Sequence, residues 1–212
     1  MAKFYAVRVG HQPGIYTTWE DCQKQVKGFS KAEFKSFPSL EEAKAFLNGE
    51  EQTKQSFQPN LPYAFVDGSY NAQTGAYGWG GFFVTEDHQR HILQGSGKNP
   101  QFAEMRNVAG EIVGALSAVD FAIKHNIRKF YLYYDYSGIE MWATGKWKAN
   151  KEVTQKYASI MQNSINSGLQ IVFQKVTGHT GIPGNEYADL LAKQSVGIEI
   201  EIDKMEELSR SL

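Results

Sequence analysis

The sequence predicts an α/β protein in which a small ββαβα unit precedes a mixed five-stranded sheet with helices on both faces. Three observations lead there. Three short strand-like runs open the larger part, and helices and strands alternate after them, the order expected of a mixed sheet. The stretch from Asn48 to Pro62 is polar, aperiodic and closed by two prolines, so it reads as a linker. A length of 212 residues has room for one sizeable core, or for one small and one medium domain.

In the first part, Phe4–Val9 alternates as a strand, His11-Gln-Pro-Gly14 turns, and Ile15–Thr17 returns as a second strand. Thr18 caps a helix running to about Lys27, Lys31–Phe37 is a third strand, and Ser39-Leu-Glu-Glu42 is a capping box that opens a helix to Leu47. A core of that size is marginal, so aromatic residues on its surface need a reason other than packing. After the linker, Tyr63–Gly68, Gly78–Val84 and His91–Gly95 read as three antiparallel strands. Between Glu104 and His125 the residues Met105, Val108, Ile112, Leu116, Val119 and Ile123 recur at helical spacing. Phe130–Tyr134 is the fourth strand, Asn150–Ser167 a helix, Leu169–Val176 the fifth strand and Asn185–Gln194 a further helix. The domains expected are therefore 1–48, a linker 49–61, a larger domain 62–196 and an acidic tail 197–212.

The apolar share of 42% and the charged share of 21% are those of an ordinary globular protein. No apolar run approaches the roughly eighteen residues of a membrane span, and the N-terminus lacks a secretory pattern, so a cytoplasmic protein with no membrane partner is expected. One cysteine, Cys22, excludes an intrachain disulfide and a cysteine metal cage; it reads as a small buried hydrophobe. The net charge of −1 gives no overall pull toward nucleic acid. Residues 1–40, however, hold six Lys or Arg against three acids, and the tail from Gly197 holds five acids against two bases. Any affinity for nucleic acid must come from a local patch, and the first forty residues are where to look.

Four acidic residues stand where chemistry would need them. Asp67 follows an apolar strand, Glu111 lies inside the first long helix off its apolar stripe, Asp135 closes the Phe130–Tyr134 strand, and Asp189 follows the Gly-rich segment 177–184. Singly, each has an ordinary reading as a turn or solvated-face residue. Strand ends in such sheets gather ligands, so the two strand-end aspartates can converge there. Four converging carboxylates would repel one another unless cations neutralise them, and an all-oxygen set suits Mg²⁺ or Mn²⁺.

The stretches Tyr63-Ala-Phe-Val-Asp-Gly-Ser69, Arg106-Asn-Val-Ala-Gly-Glu111, Tyr133-Tyr-Asp-Tyr-Ser137 and Thr177-Gly-His-Thr-Gly-Ile-Pro-Gly-Asn-Glu-Tyr-Ala-Asp189 resemble the four motif regions of type 1 ribonuclease H, in order and spacing. The resemblance covers about residues 62–196 and implies a ribonuclease H-like fold. It also implies a DEDD metal site of Asp67, Glu111, Asp135 and Asp189 holding two Mg²⁺, with Mn²⁺ as an alternative. The implied activity is sequence-independent endonucleolytic hydrolysis of the RNA strand of an RNA–DNA hybrid. Asp67 would bridge the ions, Glu111 would also touch the RNA 2′-hydroxyl, and Asp135 and Asp189 would complete the shells. His179, ten residues before Asp189, would aid proton transfer or product release rather than bind metal. Asn107 would contact the hybrid near the cut, its ordinary reading being a helix-terminus amide; Arg106 beside it would meet a DNA phosphate.

Phe4-Tyr-Ala-Val-Arg-Val-Gly10, Gly14-Ile-Tyr-Thr-Thr-Trp19 and Ala32-Glu-Phe-Lys-Ser-Phe37 are similar to the hybrid-binding, or viroplasmin-type, domain that precedes many such enzymes. That likeness implies that Trp19 and Phe34 contact DNA sugars, that Lys35 and Arg8 meet phosphates, and that Tyr5 supports the surface. Without it, Trp19 and Phe34 read as core residues. Relatives often carry a second lysine where this chain has Ser36, which removes one phosphate contact. Two other classes stay open: residues 1–48 as a protein-interaction module before a degenerate domain of the same fold that binds nucleic acid without cutting, and a resolvase- or integrase-like nuclease. No protein partner can be inferred.

Overall fold

The computed structural model describes residues 3–37, 40–48, 62–178 and 181–212. The chain divides into two compact units, Met1–Gln58 and Pro59–Leu212.

In the first unit, strands β1 (Phe4–Val9), β2 (Gly14–Tyr16) and β3 (Glu33–Phe37) form an antiparallel sheet in the order β2-β1-β3. Helix α1 (Trp19–Val26) starts at Thr18, whose Oγ1 accepts from Asp21 N at 3.2 Å. Helix α2 (Leu40–Leu47) follows β3; Ser39, which opens the expected capping box, lies outside the described residues. Ala6, Val7, Cys22 and Ala43 make the buried centre, and Cys22 is the small buried residue its sequence context suggests.

The second unit holds β4 (Tyr63–Asn71), β5 (Ala76–Val84), β6 (Arg90–Ile92), β7 (Gly95–Gly97), α3 (Pro100–Ala103), α4 (Asn107–Lys124), β8 (Lys129–Tyr134), α5 (Gly138–Ala143), α6 (Glu152–Asn166), β9 (Gln170–Lys175), α7 (Pro183–Ser195) and α8 (Ile202–Ser211). The sheet order is β6-β5-β4-β8-β9, with β7 pairing β5 beside β6. The single third strand expected over His91–Gly95 is thus two pieces along one edge of β5. Leu93 N keeps a bond to Gly81 O, while the Gln94 side-chain amide leaves the sheet to donate to Leu191 O. β4 runs antiparallel to β5 and parallel to β8, and β8 runs parallel to β9.

Side chains alternate along β4, so the sheet has two apolar faces. Ala64 and Val66 join α4 and α6 residues such as Ile112, Val119, Tyr157 and Met161 on one face. Tyr63 and Phe65 join Tyr187, Ala188 and Leu191 of α7 on the other. The tail, which carries no strong sequence signal, is helical over α8, and its Met205 and Leu208 pack on that second face.

Two expectations about the first long helix need correction. It begins at Asn107, not Glu104, because Arg106 takes φ +53° and breaks the helical path. The buried face also differs from the large-residue stripe: Ala109, Ile112, Ala115, Ala118, Val119 and Ala122 are buried, whereas Ile123 is 53% exposed. Small residues face the sheet because α4 lies very close to it.

Candidate active site

That closeness builds the site. A Cβ on Gly68 would lie 2.1 Å from Asn107 O and 2.5 Å from Glu111 N, and one on Gly110 would lie 1.8 Å from Gly78 O. Only glycine at these positions lets the first turns of α4 sit on β4 and β5, which carries Glu111 over the sheet. Glu111 is accordingly buried on the packed face rather than set off it as its spacing suggests.

The parallel pairing of β4 with β8 runs from Tyr63↔Tyr131 to Phe65↔Tyr133. Continued two residues further, it sets Asp67 level with Asp135. Asp67, Glu111 and Asp135 each offer one carboxylate oxygen, and these atoms all lie within 4.8 Å of one another. Asp67 and Glu111 are buried, and Asp67 Oδ1 accepts from Gly68 N at 2.7 Å. Burial first, and then the charge of Asp135, pushes the carboxyl of Asp67 up to about 8 and that of Glu111 up to about 9. Glu111 Oε2 is buried with no hydrogen-bond partner. Three carboxylates held this close, with one oxygen left over, fit a divalent cation that would take that oxygen and offset the repulsion.

Asp189, on α7, lies outside this triad but close enough for its charge to raise Asp67 further. Its Oδ2 accepts from Lys193 Nζ at 2.7 Å, a contact the sequence reading missed although the i, i+4 spacing on α7 signals it. His179 lies outside the described residues. Gly178 before it sits against the site, since a Cβ there would lie 2.7 Å from Asp135 Oδ2. Asn107 and Arg106 are exposed at the start of α4.

In the first unit, Trp19 is 44% and Phe34 42% exposed, and the Trp19 ring lies 5.7 Å from Tyr5 and 5.9 Å from Phe34. Ser36 pairs with Tyr5 across the sheet and shares that aromatic face. Arg8 and Lys35 are not with them. Lys35 alternates to the opposite face near Phe37, and Arg8 pairs with Glu33 at 2.6 Å and lies 5.0 Å over the Phe46 ring.

Residues 3–47 match the family described as the Ribonuclease H1 N-terminal domain, and residues 61–197 match the RNase H family. The chain is similar to Ribonuclease H1 of Homo sapiens, at 29% identity over a 253-residue alignment covering 90% of this chain and 88% of the human protein. It is similar to the Rattus norvegicus Ribonuclease H1 at 27% identity, covering 92% of this chain and 89% of that protein. Among solved structures, the N-terminal RNase H domain of a Mycobacterium tuberculosis protein superimposes with a TM-score of 0.53 at 20% identity, covering 71% of this chain and 97% of that one. That structural likeness speaks to the fold. Both parts of the chain therefore have a family, and together they make it a type 1 ribonuclease H that carries an N-terminal hybrid-binding domain.

Proposed function

We propose that this ribonuclease H cuts the RNA strand of RNA–DNA hybrids internally and without regard to sequence, using two divalent cations held by Asp67, Glu111, Asp135 and Asp189. The observation that carries this reading is the convergence of Asp67 and Glu111, both buried, with the half-buried Asp135, and a Glu111 Oε2 that lacks a partner. All-carboxylate donors favour Mg²⁺, with Mn²⁺ as a substitute. When bound, the cations supply a more acidic water and stabilise charge on the scissile phosphate and the leaving 3′ oxygen.

The chain's own residues do the rest. Asp67, which feels the charges of both Asp135 and Asp189, would hold the cations together with those two residues. Glu111, held by the tight seat of α4, takes the RNA 2′-hydroxyl, the group that separates RNA from DNA. His179 moves a proton or helps the product leave; the products carry 5′-phosphate and 3′-hydroxyl ends. Asn107, exposed at the first turn of α4, reaches the hybrid near the cut. In the first domain Trp19 and Phe34 lie against deoxyriboses with Tyr5 behind them; Arg8, held by Glu33, and Lys35, on the opposite face, would have to reach phosphates from the edge of that surface. In this reading the domains are 1–48, a linker 49–61, 62–196 and an acidic tail 197–212, and the protein acts in the cytoplasm, with which a single unpaired Cys22 accords.

A binding-only role gains nothing from mutually repelling buried acids. The test is Asp135→Asn in the full chain: we expect Mg²⁺-dependent cleavage of a labelled hybrid to fall by orders of magnitude while hybrid binding persists. Near-normal cleavage by this variant would remove the proposed site.

A further inference from the structure

We propose that Lys193 is a built-in counter-cation of Asp189 that holds down the affinity of that part of the site for a divalent cation, with Lys204 of the C-terminal helix acting in the same sense. The inference rests on the site assigned above.

Asp67, Glu111 and Asp135 converge, and Glu111 offers an oxygen with no partner. Asp189 differs. Its Oδ2 is already given to an ammonium at 2.7 Å, and the pair is partly shielded, with side chains 37% and 21% exposed. The Lys193 charge also reaches Asp67, where it opposes the effect of the neighbouring acids. A second ammonium comes from α8. Lys204 Nζ pairs with Glu186 at 3.1 Å, three residues before Asp189 on α7, and is itself influenced by the charge of Asp189.

Helix α8 is fixed where this requires. Met205 and Leu208 pack on the second apolar face, and Arg90 Nη2 donates to Ser209 Oγ at 3.0 Å. The RNase H match ends at residue 197, before α8 begins. An oxygen engaged by an ammonium is not free for a cation, and Mg²⁺, reluctant to shed water, competes poorly for it. The scissile phosphate brings negative charge that gives Lys193 another partner, so the restraint weakens when substrate arrives.

The experiment is calorimetric titration of Mg²⁺ into the full-length protein without hybrid, paired with the Mg²⁺ concentration giving half-maximal cleavage. We expect Lys193→Met to tighten Mg²⁺ binding about three- to tenfold and to lower the half-maximal concentration in step, the size expected for removing one partly exposed ion pair. Lys193→Arg keeps the pair and should leave the isotherm near wild type; Lys204→Met should shift it the same way by about twofold. Unchanged or weaker Mg²⁺ binding by a folded Lys193→Met protein would overturn the proposal, the weaker case marking Lys193 as an orienting partner instead. Failure of the underlying site is distinct: it would show as a wild-type protein that neither binds Mg²⁺ nor cuts hybrid.

Discussion

Asp67 is a carboxylate kept where burial and the neighbouring Asp135 both oppose its ionisation. Its folded-state value near 8 stands above the ordinary 3.8, so the folded chain holds a proton that the unfolded chain has lost over that window. The stability this group contributes is full below about pH 4 and is lost as pH rises through about 8. We therefore expect the metal-free protein to melt at least about 4 °C lower near pH 9 than near pH 5, and Mg²⁺ to restore most of the difference. Asp67→Asn should flatten the pH dependence, raise the metal-free melting temperature at neutral pH and abolish cleavage, a stability gained by giving up function. Differential scanning calorimetry with and without Mg²⁺ checks all three; a variant less stable than wild type at pH 8 would contradict them. Singly the four acids read as turn or solvated-face residues, and it is the ordered set of motifs around them that singles them out; Asp67, Glu111 and Asp135 converge, while Asp189 lies outside that triad. Lys193 was not singled out, because an i, i+4 Asp–Lys pair reads as an ordinary solvated helix contact.

The long helix α4 shows what periodicity misses. Counting large apolar residues put Ile123 in the packed stripe, yet the helix buries Ala109, Ala115, Ala118 and Ala122 instead. Alanine and glycine carry little weight in a hydrophobic pattern, but they permit the close approach that brings Glu111 to Asp67. The break at Arg106 was hidden for a different reason, since nothing in Arg106 itself announces a positive φ. The small third strand comes as two pieces, β6 and β7, with Leu93 N bonded to Gly81 O between them. We expect Gly110→Ala to cost about 1–3 kcal/mol in urea unfolding and to slow cleavage by at least about tenfold, because its Cβ would meet Gly78 O and lift α4 with Glu111. Ala109→Gly, on the same turn, should cost about 1 kcal/mol through helix propensity and lost packing while leaving more activity. Equal losses of activity in the two variants would mean that the seat of α4 does not matter to the site.

At the scale of the whole molecule, the two units carry different parts of the task, and the order of both was readable from the linker and the motif spacing. The surface use of the first unit was less readable. By residue type alone Trp19 and Phe34 look like core residues; the resemblance to the hybrid-binding domain turns them outward, and their exposure beside Tyr5 agrees. Because that face lacks a lysine at Ser36, and Lys35 lies on the opposite side, the aromatic contacts should dominate its affinity. Trp19→Ala with Phe34→Ala should therefore weaken hybrid binding about tenfold or more with little change in salt slope, whereas Lys35→Ala, on the opposite side, should change the slope by less than the roughly one unit of a direct phosphate contact. Fluorescence anisotropy across a salt series separates the two effects. The central claim is met most directly by incubating the full-length protein with end-labelled RNA–DNA hybrid, duplex RNA and duplex DNA of one sequence, with and without Mg²⁺. The account predicts internal cuts in the RNA strand of the hybrid alone, and only with Mg²⁺. Cleavage of the hybrid in the presence of a strong chelator, or equal cutting of all three duplexes, would contradict it.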